Sequence, residues 1–365
     1  MTTTRAMGSV YLEWAKMCSA AKYNLATSGI MGYPLAELPV KAEDLEINGP
    51  TQYGYAPLQE RLAQLCGTKP ECVVEAAGTA MANHLAMAAL LSPGDDVLIE
   101  EPTYGPVVEV AAYLGANLLR FERREEDEWQ VDPEAVQRAI TAKTRLICLT
   151  NLHNPTGALT DEATLTRIGE MARKRGARVL VDEVYLPMVY GQSVRSSFLL
   201  GDVFVATTSL TKAYGLSGLR CGWILAEPKL AHRMWRLNDL FAATPVNVGR
   251  QLSVLALDHL EKIDARARGI LDANRASQKN FFEVRKDLGG LRSRWGTVSF
   301  PKLLRGSVDA FCELLRERYE TSVVPGRFFE MPDHFRMGMG GDVAMTAEGL
   351  KRLGAALDEY GASQA

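Results

Sequence analysis

Between Glu71 and Glu227 the chain alternates short apolar, β-branched runs with stretches of helical period. The runs "DDVLIEEPTY", "ANLLRFERR", "TRLICLTN", "ARVLVDEVY", "DVFVATTSL" and "CGWILAE" have the length and the Val, Ile, Leu and Thr content of strands. Helix-like stretches lie between several of them: "TAMANHLAMAALL", "PVVEVAAYLG" and "DEATLTRIGEMARKRG", the last stopping at Gly176, where a helix C-terminus favours glycine. Strands that are apolar throughout are buried on both faces, and strands joined through helices run parallel. The pattern predicts an α/β fold, a mostly parallel sheet covered by helices on both faces. Ligands of such sheets gather beyond the carboxyl ends of the strands, so the residues just after each run are the ones to inspect.

After Pro228 the texture changes. A long helical region reaches to about Arg285, and short strand-like pieces ("TVSFPKLL", "TSVVPG", "HFRMGMG") then alternate with helical stretches at Val308 to Tyr319 and Ala347 to Tyr360. With 365 residues and roughly 100 to 200 residues per domain, two domains are expected. We place the large one at 46–260 and a smaller α/β one at 1–45 together with 261–365.

Composition closes several function classes. The 41 basic and 44 acidic residues leave a net charge of −3, which gives no pull toward nucleic acid or an anionic membrane. No run is long enough to span a bilayer, and the apolar stretch from Val10 to Ala21 is interrupted by Glu13 and Lys16, unlike a secretory leader. Cys18, Cys66, Cys72, Cys148, Cys221 and Cys312 form no CxxC pair and have no histidine at metal-ligand spacing. They read as reduced residues in or near the core of a cytoplasmic protein, with no metal. The charged run "ERREEDE", Glu122 to Glu128, reads as a solvated loop.

Four segments carry chemistry. "SLTKAYGLSGLRCGW" sets Lys212 among small residues, with Ser209 and Arg220 on either side. A hydroxyl and a forked guanidinium suit a phosphate dianion, and Gly215, Gly218 and Gly222 let the backbone turn sharply beside it. "NLHNPTGALTDE" follows a strand and carries Asn154; by itself it is a polar turn. "VLVDEVYLPMV" puts Asp182 and Tyr185 at the end of a buried strand, where Asp182 could equally cap a helix. "EAAGTAMANHLAM" places Ala77, Gly78 and Thr79 where a strand gives way to a helix, so their N–H groups face an anion. The same segment lacks GxGxxG, which removes an NAD-type Rossmann enzyme.

Taken together, Asn154, Asp182, Tyr185, Ser209, Lys212 and Arg220 resemble the cofactor site of the class I/II, fold type I aminotransferases, which use pyridoxal 5'-phosphate, and the likeness extends along nearly the whole chain. The resemblance implies a seven-stranded large-domain sheet and a homodimer with shared active sites. Lys212 is then the Schiff-base lysine and proton shuttle, Asp182 the partner of the pyridine nitrogen, and Tyr185 with Asn154 the hydrogen-bonding pair at the ring's 3-oxygen. Tyr104 corresponds to the aromatic stacked on the ring. Tyr53, with Tyr55 as competitor, corresponds to the tyrosine that reaches the neighbouring subunit's phosphate. Arg336 matches the arginine that grips the substrate carboxylate, and Gly29, between Ser28 and Ile30, lies in a substrate-side loop. No second arginine for a dicarboxylate is identifiable. His153 reads as structural.

The implied activity is transfer of an amino group between an L-amino acid and a 2-oxo acid by a ping-pong route. A lyase, cyclase or synthase using the same site is the nearest rival, because fold and cofactor do not fix the reaction. A non-catalytic sensor module attached to a DNA-binding domain would need a basic N-terminal extension, and only about 45 residues precede the Tyr53 region.

Overall fold

The computed structural model describes residues 6–290 and 293–363. The expected small-domain segments include residues 1–5, 291, 292, 364 and 365, which lie outside the described residues. Seven strands form one sheet: β1 (Val73–Ala77), β2 (Asp96–Glu101), β3 (Asn117–Glu122), β4 (Thr144–Thr150), β5 (Arg178–Asp182), β6 (Phe204–Ser209) and β7 (Cys221–Leu225). Across the sheet they run β1, β7, β6, β5, β4, β2, β3. All are parallel except β7, which is antiparallel to both neighbours.

Both faces are covered, as the apolar strands require. In β4, Leu146 and Cys148 pack with the helices Gly78–Leu90 and Pro228–Asn238, whereas Ile147 and Leu149 pack with the helix Glu162–Arg175 on the other side. That last helix starts where Asp161 accepts from Thr164 N at 2.7 Å and ends where Gly176 turns left-handed, φ 66°.

The C-terminal part builds a second, smaller core. Phe335–Gly338 is the centre of a three-stranded antiparallel sheet between Val298–Ser299 and Val324–Pro325. The helices Val308–Tyr319 and Val343–Ser363 pack around Phe311, Phe335, Met337 and Leu353. Tyr23–Asn24 pairs in parallel with Thr321–Ser322, which ties the N-terminal segment to this part.

The long helical region expected to about Arg285 consists of three helices, Pro228–Asn238, Asn247–Asp258 and Leu260–Val284. Pro245 disfavours helix at the residue before it, and Ala243 takes a positive φ of 49°. Within "ERREEDE", Arg123 is not solvated: it is 2 % exposed and its Nη1 donates to the buried Glu100 carboxylate at 3.1 Å. Arg123 N also continues the ladder to Glu101 O, so the strand pairing carries this residue inside. Cys18, read as near the core, is exposed; all six cysteines are free. Among the described residues no helix is long and apolar enough to cross a membrane.

Candidate functional site

The carboxyl ends of β4, β5 and β6 and the helix after β1 converge on a cavity of about 460 Å³. Its walls include Lys212, Asp182, Tyr185, Asn154, Ser209 and Arg220, the six residues on which the resemblance rested. Thr79 and Tyr104 line it as well. Short apolar strands buried in the sheet end here because polar Thr150, Asp182 and Ser209 close each run.

Lys212 Nζ donates to Ser28 Oγ at 2.8 Å. Burial and the Arg336 guanidinium, with a smaller push from Arg220, bring its amine down to about 8, while Asp182 works in the opposite direction. A lysine near 8 has a usable neutral fraction at physiological pH, which an ordinary lysine lacks. Asp182, 5 % exposed, accepts from Asn83 Nδ2 at 2.7 Å and from Val184 N at 3.1 Å. Burial pushes its carboxyl up to about 6, against these hydrogen bonds and the pull of Lys212. A buried carboxylate in this position is poised to meet a cation.

Opposite the amine lies a cluster of donors. Thr79 Oγ1 donates to Ser209 Oγ at 2.8 Å, and Arg220 Nη2 donates to Ala77 O at 3.0 Å. Gly78 N donates to Arg220 O at 2.8 Å, closing the turn onto the arginine. Gly78 has φ +77°, and a Cβ there would lie 2.3 Å from Arg220 Nη2, so only glycine fits. Hydroxyls, a guanidinium and the start of the Gly78–Leu90 helix together suit an anion.

Arg336, 1 % exposed, stands behind this cavity on the central strand of the smaller sheet. Its Nη1 donates to Asn154 Oδ1 at 3.1 Å and its Nη2 to the Tyr11 hydroxyl at 2.7 Å, and its Nε has no partner among the described residues. Gly29 lies against Lys212: a Cβ would sit 3.3 Å from the lysine Cα and Cδ, and Ile30 N donates to Lys212 O at 2.8 Å. His153 is buried, with Nδ1 at 2.6 Å from Thr156 Oγ1 and Nε2 at 2.9 Å from Pro102 O. Tyr53 and Tyr55 do not line this cavity; the Tyr53 hydroxyl donates to Asp239 Oδ2 at 2.6 Å, and Tyr55 N to Glu75 Oε1 at 2.6 Å. Among the described residues no group of His, Cys, Asp and Glu could hold a metal.

Sequence reasoning passed over Asn83, Tyr11 and Glu100. Asn83 was findable: it is a 5 % exposed amide in an alanine-rich helix, and Thr207 Oγ1 fixes its orientation by donating to Oδ1 at 2.5 Å. Tyr11 has no local signal, since it meets Arg336 across 325 positions. Glu100 Oε1 accepts from Thr150 Oγ1 at 2.7 Å, and Thr150 Oγ1 accepts from Asn154 N at 2.9 Å, a relay visible only in three dimensions.

A family model for aminotransferases of class I and II matches residues 40–353. The chain belongs to this family of pyridoxal-phosphate enzymes. A solved structure of a PLP-dependent aminotransferase from Streptococcus suis superposes with a TM-score of 0.91, 29 % identity and 99 % coverage of each chain. The arginine–pyruvate transaminase of Pseudomonas aeruginosa is 29 % identical over 74 % of this chain and 70 % of its own length. The capreomycidine synthase of Streptomyces vinaceus is 27 % identical over 87 % of this chain and 85 % of its own. Class I and II membership thus includes relatives named for different reactions.

Proposed function

We propose that this chain moves an amino group from an L-amino acid to a 2-oxo acid in two half-reactions, with Lys212 as the Schiff-base lysine and pyridoxal phosphate as cofactor. The observation that carries the reading is the meeting of a lysine brought down to about 8, a buried Asp182 and a phosphate-suited donor cluster in one cavity. When bound, pyridoxal phosphate supplies an aldehyde that condenses with amines and a ring that accepts the electron pair released at the substrate Cα. The donor set fits that group: Thr79, Ser209 and Arg220 for the phosphate, with the Ala77–Gly78 turn holding the arginine, Asp182 for the ring nitrogen, Tyr185 and Asn154 for the 3-oxygen, Tyr104 for the ring face.

The chain's own residues then have separable tasks. Asn83 and Val184 N hold Asp182 in place, so its negative charge stays where a ring cation needs it. Lys212, neutral in part at pH 7, takes the proton from Cα and returns it; such proton transfer contributes on the order of 10²- to 10⁴-fold. Arg336 binds the substrate carboxylate beside Gly29 and Asn154: its buried guanidinium has no carboxylate partner among the described residues, and a bidentate anion satisfies it. The reading includes a homodimer in the cytoplasm, Tyr53 reaching the second subunit, and a large unit at 46–260 against a smaller one at 1–45 and 261–365, supported by separate apolar cores. The match to a capreomycidine synthase favours, as second reading, another reaction at the same residues.

The test is stoichiometric. Cofactor-loaded protein is mixed with single amino acids and no acceptor, and 2-oxo acid is counted. One equivalent per chain, followed by formation of a new amino acid when a second 2-oxo acid is added, supports transamination. Ammonia released together with 2-oxo acid well beyond one equivalent, or a cyclised product in place of the 2-oxo acid, supports the second reading.

A further inference from the structure

One wall of the cavity is left without a task by the cofactor and the substrate carboxylate. It is built by the N-terminal helix Val10–Met17, which contributes Leu12, Trp14, Ala15 and Lys16, together with Val184 from the end of β5. The aromatic part is held by packing: the Trp14 ring lies 5.3 Å from that of Phe328, and Tyr11 meets Tyr104 edge-on at 5.7 Å. Such a wall offers area to an apolar group and little to a polar one.

Its charge points the same way. Among the described residues, the charged ones lining the cavity are Asp182, Lys212, Arg220 and Lys16, and the reading above commits the first three to the cofactor and the reacting atoms. Lys16 is exposed and has no ion-pair partner among the described residues. A cationic side chain entering here finds no carboxylate other than Asp182 among the described lining residues, and it approaches the Lys16 ammonium group. An uncharged ring or branched chain meets Leu12, Trp14 and Val184 instead.

We propose that this site takes 2-amino acids with uncharged aromatic or large aliphatic side chains and rejects cationic ones, with Trp14 and Lys16 as the specificity-determining residues. The proposal rests on the transaminase reading for the identity of the substrate, and its test is built to fail separately. A single buried apolar contact in a pocket discriminates by roughly 10- to 200-fold, which sets the size of effect to look for.

The experiment titrates the cofactor-loaded protein with 3-phenylpropanoate and 4-guanidinobutanoate, carboxylates without an amino group that bind and cannot react. Calorimetry is expected to show the phenyl compound binding at least about 10-fold more tightly. Trp14→Ala is expected to remove about 10-fold of that affinity while leaving propanoate unchanged, with Trp14→Phe retaining most of it. Lys16→Glu, a surface change that leaves packing alone, is expected to improve the guanidino compound several-fold. Equal or tighter binding of 4-guanidinobutanoate by the wild type, or a ratio that Lys16→Glu does not move, overturns the proposal. Steady-state kcat/KM for phenylalanine, leucine and arginine then follows. If the binding ratio holds and no amino acid yields a 2-oxo acid, transamination fails and the side-chain preference stands.

Discussion

The amine of Lys212 is set by charges that disagree with one another. Burial and the guanidinium of Arg336 hold it down, Asp182 pulls it up, and Arg220 adds a smaller downward push, with the balance near 8. At pH 7 about a tenth of such an amine is neutral, against less than about 0.1 % for an ordinary lysine near 10.4. Competitive labelling of the cofactor-free protein with an acylating reagent, read at Lys212 by mass spectrometry across pH, should give a midpoint near 8. Arg336→Gln removes a like charge and should move the midpoint up; Asp182→Asn removes the opposing one and should move it down. A wild-type midpoint near 10, or one indifferent to both substitutions, would sink this account of the amine. The same arithmetic says why the lysine cannot be judged from its neighbours in the chain: the groups that tune it lie 30 positions before it in Asp182 and 124 after it in Arg336.

The turn between β1 and its helix is held at its working distance by two glycines facing each other. Ala77 pairs with Cys221 in the ladder, and a Cβ on Gly222 would lie 2.4 Å from the Gly78 carbonyl carbon. Gly222→Ala must therefore part β1 from β7 and strain the Gly78 N–H bond to Arg220 O, displacing the arginine and Thr79 from the positions proposed for the phosphate. The expected loss is about 1–3 kcal/mol of stability, as for other overpacked sites, together with weaker retention of pyridoxal phosphate. Gly218→Ala is the control, since a Cβ there meets nothing within 4 Å and should leave melting temperature and cofactor affinity unchanged. If both variants melt alike and hold cofactor alike, the close approach is unimportant. These elements were legible in the sequence, because strands buried on both faces and glycines at a sharp turn leave local marks. The Glu100–Arg123 pair left none: Arg123 sits in a run of acids, and the carboxylate that draws it inside belongs to the end of a different strand, 23 positions earlier.

Several apolar side chains of the described residues stand exposed on one part of the chain. Ile47 is 85 % exposed, Leu240 and Val246 are each 78 % exposed, and Phe241 is 48 % exposed. They are close together: Asn247 Nδ2 donates to Glu46 O and Asn48 O, which brings Ile47 beside Val246, and Tyr53 donates to Asp239 next to Leu240. Patches of this kind mark contact surfaces, and covering Leu, Phe and Val side chains is worth roughly 1.5–3 kcal/mol each. A two-fold contact would use the same patch on both copies and would carry Tyr53, absent from its own chain's cavity, toward the second copy. Nothing in the strand–helix alternation could announce this, since a pattern of burial within one chain is silent on which exposed apolar residues a second chain will cover. Sedimentation at micromolar concentration should therefore give twice the 40.1 kDa chain mass. Phe241→Asp should shift the protein to the single-chain mass and loosen cofactor binding, whereas Tyr53→Phe should loosen cofactor binding at unchanged mass. A wild-type protein that sediments as a single chain while holding one cofactor would show that the cavity is complete by itself and that Tyr53 serves only its bond to Asp239.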